Sequence, residues 1–151
     1  MPSQPPVKIA IEPDDYHAEF VGQTATGRQF FLTTPFVPAG DGQPRREFIA
    51  LYQFDADGRL VDARIDPWVH EEGDGDIELR LRTIQTCLAE LGDYERCRIE
   101  VRPFSVARFG LEFGLIPRPP DDDPDETWWV ELLPGNYMAF HEPFDSGEYD
   151  T

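Results

Sequence analysis

Lysine is almost missing from these 151 residues: Lys8 stands alone beside 12 arginines. No base of either kind follows Arg118, whereas residues 119–151 hold 10 acids. A one-signed field of that kind repels phosphate, so no nucleic acid and no membrane surface is expected as a partner. Cysteine is scarce as well. Cys87 and Cys97 are the only two, at a spacing that fits neither a zinc ligand set nor a redox pair, and a reducing compartment suits them. No run of about 18 apolar residues occurs, and the start "MPSQPPVKIAIEPDD" has no basic segment ahead of an apolar stretch. The chain reads as cytoplasmic.

Signatures of chemistry are equally thin. Ser3, Ser105 and Ser146 are the only serines, none in a Gly-x-Ser-x-Gly elbow, and no Gly-rich phosphate loop is present. Asp55-Ala56-Asp57-Gly58 opens like a calcium loop, but Arg64 stands where that loop needs a glutamate, which leaves an ordinary turn. His17-x-Glu19 has the spacing of a zinc-deaminase His and Glu without the Pro-Cys-x-x-Cys that completes such a site. His17, His70 and His141 fall on separate elements, so no metal and no cofactor is expected from local pattern.

What is present is acid and aromatic. Thirty Asp and Glu against 13 bases give a formal charge of −17, and 11 Phe, 5 Tyr and 3 Trp supply enough apolar area for a core. The length suits one compact domain, 1–151, with an extended N-terminus (1–6) and an acidic C-terminal tail (145–151). Fifteen prolines imply many loops.

Periodicity predicts α+β: a largely antiparallel sheet of about six to eight strands packed on one main helix at about 76–91. Two hairpins share a turn pattern. One has runs Tyr16–Val21 and Gln29–Phe36 around Thr24-Ala25-Thr26-Gly27, the other Phe48–Phe54 and Leu60–Ile65 around Asp55-Ala56-Asp57-Gly58. In each the Gly suits the left-handed position that closes a type I turn. In the second hairpin Ile49, Leu51 and Gln53 oppose Ala50, Tyr52 and Phe54, so it is apolar on both faces at one end, which suits a central pair of strands covered on one side by a helix. The helix carries Ile77, Leu81, Ile84, Leu88 and Leu91 on one stripe, with Asp76 as N-cap and Gly92 as stop. Cys97, Ile99 and Val101 alternate with arginines in a further strand. "SVARFGLEFGLIPR" allows a helical turn followed by a strand, or two strands broken at Gly110. "TWWVELLP" and "NYMAFHEPF" read as strands joined through Pro134-Gly135.

The segment "PRPPDDDPDETWW" gathers Asp121, Asp122, Asp123, Asp125 and Glu126 ahead of Trp128 and Trp129. Its prolines bar it from a sheet interior, so it reads as an exposed loop entering a strand. Consecutive tryptophans on a strand point to opposite faces, and an outer one beside carboxylates can receive Arg or Lys from a partner. The same residues also read as a solvated loop with both rings buried. Together with Glu142, Asp145, Glu148, Tyr149 and Asp150 they form the candidate surface for a basic protein partner, with Tyr137 and Phe144 as further anchors. Immunity proteins that neutralise basic toxins, and inhibitors that imitate nucleic acid, share this size and charge, a likeness of class alone. Two alternatives stand beside it: a metal-assisted hydrolase assembled from His17, Glu19, His141 and Glu142, and a structural subunit of a larger assembly.

Overall fold

The computed structural model describes residues 5–15, 17–40, 42, 45–67, 77–120, 127–135 and 138–150. In chain order these form β1 (Ile9–Ile11), β2 (Phe20–Thr24), β3 (Gln29–Thr33), β4 (Phe36–Val37), β5 (Arg46–Phe54), β6 (Leu60–Pro67) and α1 (Ile77–Leu91). Then follow β7 (Tyr94–Arg96), β8 (Ile99–Val101), β9 (Phe104–Arg108), β10 (Leu111–Arg118), β11 (Trp129–Leu133) and β12 (Ala139–Phe140). The class is α+β with antiparallel pairing throughout, but the expected single sheet is replaced by three: a six-stranded, a four-stranded and a two-stranded one.

β5 organises the six-stranded sheet. It pairs with β6 on one side and with β3 on the other, and β4 continues the β3 register past Thr34-Pro35. Proline has no N–H for the ladder, yet the Pro35 carbonyl still accepts from Phe48 N at 2.9 Å. Both faces of β5 are buried, as alternation predicts. Ile49 and Leu51, with Phe30 and Leu32 of β3, meet Ile84, Cys87 and Leu91 of α1. Ala50, Tyr52 and Phe54 meet Phe113, Leu115, Val130, Leu132 and Phe140 of the four-stranded sheet, whose order is β12-β11-β10-β9. The domain is thus layered as helix, six-stranded sheet, four-stranded sheet, and the two faces of one strand supply two separate cores.

Several expectations are corrected. On α1 the contact stripe turns toward Cys87, which is buried, and leaves Leu81 at 51% exposure. The helix start at Asp76 lies outside the described residues. The first hairpin begins at Phe20, so His17 and Glu19 precede the strand rather than sharing one of its faces. Cys97 lies between two strands: β7 joins β2, while β8 joins β1 in the two-stranded sheet. Inward alternation holds only for β8, where Ile99 and Val101 are buried about an exposed Glu100; β7 is exposed along its length and Cys97 is half-buried. Both hairpin turns do place Gly in the left-handed region, Gly27 at φ 90° and Gly58 at φ 88°. "SVARFGLEFGLIPR" resolves as the β9–β10 hairpin about Phe109 and Gly110.

Gln29 fastens the two-stranded sheet to the larger one. Its side chain is buried, donates to the carbonyls of Asp55 (3.1 Å) and Glu100 (3.0 Å), and accepts from Glu100 N (2.7 Å). Beside it Arg102 donates to the Asp57 carboxylate at 2.8 Å, and that bond, with a further one from Lys8, holds the Asp57 carboxyl below its ordinary range.

Tyr52 behaves differently. It is fully buried, its hydroxyl meets no hydrogen-bond partner among the described residues, and burial pushes the phenol well above its usual range. Removing an unsatisfied buried hydroxyl relieves its desolvation cost, so Tyr52→Phe is expected to stabilise the fold by about 1 kcal/mol. Urea unfolding with an unchanged slope measures it; a loss of stability would mean that the hydroxyl is bonded.

Candidate functional site

The antiparallel register of β11 and β12 pairs Val130 with Phe140, which sets Trp129 and His141 side by side at one end of the four-stranded sheet. Their rings stack, with centroids 6.1 Å apart and planes 14° from parallel. The His141 imidazole Nε2 lies 3.4 Å from the Asp150 carboxylate. Asp150 is held there by its backbone: Ala139 N donates to its carbonyl at 2.9 Å, and its N donates to the Ala139 carbonyl at 2.8 Å.

The segment expected as an acidic tail is therefore built into the fold through residue 150. Ala10 N donates to the Phe144 carbonyl (2.8 Å) and Glu12 N to the Gly147 carbonyl (3.3 Å), so residues 144–147 cover the outer edge of β1. Tyr149 turns inward against Phe140 and the His17 ring. Its hydroxyl donates to the Asp14 carboxylate and accepts from His17 N at 3.1 Å. Asp14 also accepts from Ala18 N at 3.0 Å. Partial burial lowers the His17 pKa, and the Asp14 charge opposes that shift.

Two acidic recesses flank this segment and share Glu148, Tyr149 and Asp150. One is completed by His141, Glu142 and Ser146, the other by Glu12, Pro13 and Asp14. Asp145 and Glu148 are exposed and make no ion pair with a described basic residue. Arg98 approaches from the end of β7, pairing with Glu12 at 3.3 Å and donating to the Asp145 carbonyl at 2.7 Å. Most other bases are spent on carboxylates of their own neighbourhood: Lys8, Arg59 and Arg102 on Asp57, Arg45 on Glu47, Arg64 on Asp66 and Glu90, Arg96 on Asp15, Arg118 on Glu131.

Of the sequence-predicted site residues, Trp129, Glu142, Glu148, Tyr149 and Asp150 come together, with Asp145 at the margin. Trp128 lies just before β11 and, like Trp129, is half-buried, so the pair does not divide into one core and one outer ring on a common strand. Asp121, Asp122, Asp123, Asp125, Glu126 and Tyr137 lie outside the described residues. The residues of the metal-hydrolase reading do not converge. His17 and Glu19 line a recess with Thr33 and Arg80 between β3 and α1, whereas His141 and Glu142 line one of the acidic recesses. Among the described residues no three His, Cys, Asp or Glu side chains are grouped to hold a metal ion. No helix of the described residues is long and apolar enough to cross a membrane.

Sequence reading missed Glu12 and Asp14. Asp14 is bonded to Tyr149 across 135 positions and Glu12 N to the Gly147 carbonyl, and no local pattern announces either link. No family model matches the chain, and neither a curated protein nor a solved structure matches it.

Proposed function

We propose that this chain is a small acidic binding protein that docks on a basic protein partner and blocks it by charge and shape. The observation that carries the reading is the gathering of carboxylates beside a stacked indole. The β11–β12 pairing sets Trp129 against His141, and Glu142, Glu148 and Asp150 line the recess that His141 opens onto. The exposed Asp145 and Glu148, whose carboxylates make no ion pair with a described base, steer encounter, and a half-exposed indole in the same region receives an arginine or lysine of the partner. The anchor is Trp129, with Trp128 adjacent. Tyr149 acts as support, because its hydroxyl is already bonded to Asp14 and His17.

The partner is to be captured on the immobilised protein from cell lysate and eluted by salt between roughly 0.2 and 1 M, where the screening length shrinks to a few ångström. With it in hand, Asp145→Ser/Glu148→Ser and Asp121→Ser/Asp122→Ser/Asp123→Ser are each expected to slow association roughly tenfold and to flatten its salt dependence. An association rate unchanged in both variants removes this role from the acidic face.

A further inference from the structure

The opposite end of the four-stranded sheet carries the reverse chemistry. β9 and β10 are joined by Phe109 and Gly110, both left-handed, with φ of 54° and 74°. A two-residue hairpin loop prefers that mirror-image turn, but its first position favours Asn, Asp or Gly, and a bulky ring there is strained. Phe109 is nevertheless held in place and is 47% exposed, stacked on Phe48 at 5.5 Å.

Two arginines belong to this tip. Arg46 shares the inward face of β5 with Phe48, lies 5.4 Å over that ring and donates to the Phe109 carbonyl at 3.1 Å. Arg108, the last residue of β9 and next to Phe109 in the chain, is exposed and donates to the neighbouring Ala107 carbonyl. In a chain with 30 acids, neither makes an ion pair with a described carboxylate. Two arginines without a described carboxylate partner, beside an exposed and strained aromatic ring, form a receptor for carboxylates.

A source of carboxylates lies at the far end of the same sheet. β10 runs from Leu111 at this tip to Arg118, which pairs with Trp129 at the acidic face. Eight extended residues separate the two ends by roughly 24 Å. We infer that the Arg46–Arg108–Phe109 tip is a docking site for the acidic face of a second copy of this chain, around Asp145 and Glu148. The contact joins two different patches, so it is head-to-tail and generates chains of molecules rather than a closed dimer. Each copy carries a formal charge of −17. Near about 0.15 M salt the screening length is about 8 Å, so local complementarity outweighs the repulsion between the copies.

Sedimentation velocity from about 10 µM to about 1 mM protein tests the inference across the range of weak self-association. The weight-average mass is expected to rise above the 17.3 kDa of one chain with concentration. Arg46→Glu/Arg108→Glu is expected to stay monomeric, and so is Glu142→Lys/Asp145→Lys/Glu148→Lys. An equimolar mixture of the two variants should associate again, because each then offers what the other lacks. Phe109→Asn should weaken association at least threefold while leaving the melting temperature unchanged or higher, since Asn suits the turn. A wild-type chain monomeric throughout overturns the inference. So does association that the Arg46→Glu/Arg108→Glu variant retains, or a charge-swapped mixture that stays monomeric while both variants melt like wild type. The Arg46→Glu/Arg108→Glu variant keeps the acidic face intact and should still capture a basic partner, so the two proposals fail separately.

Discussion

Replacing Gln29 by alanine is expected to lower stability by about 3 kcal/mol, read from urea unfolding, a large share of what a domain of this size commonly has. The substitution removes one side chain and strands the carbonyl and the amide of Glu100, while the Asp55 carbonyl loses one donor and keeps Gly58 N at 3.0 Å. Each buried group left without a partner costs roughly 1–3 kcal/mol, and water reaching the enlarged space offsets part of it. Gln29→Glu separates hydrogen bonding from packing. It keeps the shape and can still accept from Glu100 N, but a carboxylate cannot donate to two carbonyls, so a loss of similar size is expected at neutral pH. A loss below about 1 kcal/mol for Gln29→Ala would show that the two-stranded sheet is held by its apolar residues Ile9, Ile11, Ile99 and Val101 alone.

Gly114→Ala is expected to cost about 3 kcal/mol or more, or to prevent folding. Gly114 sits inside β10 between Ser105 and Leu133, at φ 147°, and a Cβ there would stand 2.1 Å from the Phe104 carbonyl oxygen. Both partners of the clash are backbone held in a ladder, so neither can step aside cheaply. Gly27→Ala is the matched control. Its φ is 90° but nothing lies near the added carbon, so only the conformational term of about 1 kcal/mol remains. Equal losses at the two positions would refute the steric account. Because Gly114 lies on the strand that aligns β11, a folded Gly114→Ala protein should also shift the Trp129 fluorescence.

How much of this was legible in the sequence depended on whether side chains or backbone hold each element. β5 could be read because alternation along Phe48–Phe54 assigns both faces, and the helix covers one of them as expected, whereas the second sheet on the other face was not foreseen. The proximity of Trp129 and His141 could be read from the Pro134-Gly135 turn, which implies an antiparallel return. The break at Cys97 could not, since alternation persists while the sheet changes. Nor could the incorporation of "DSGEYD": its side chains are polar and mostly exposed, and its attachment runs through the carbonyls of Phe144 and Gly147 and through Asp150, to which hydropathy is blind. The basic tip escaped notice for a related reason. Arg46 and Arg108 belong to different sheets, and only packing brings Arg46 to the Phe109 carbonyl, next to Arg108.

The stitching of β1 to residues 144–150 bears on how the chain reaches its native state. Tyr149 closes on Asp14 across 135 positions, and between them lie β2 to β12. Contacts of such long sequence separation impose a large loop-closure entropy before they return any energy, which places the domain among slow, non-local folders. While the chain is still growing, β1 presents an outer edge that nothing later than β12 has yet reached. A nascent chain of this protein thus carries a bare strand edge, which stays uncovered until residues 144–147 have been made.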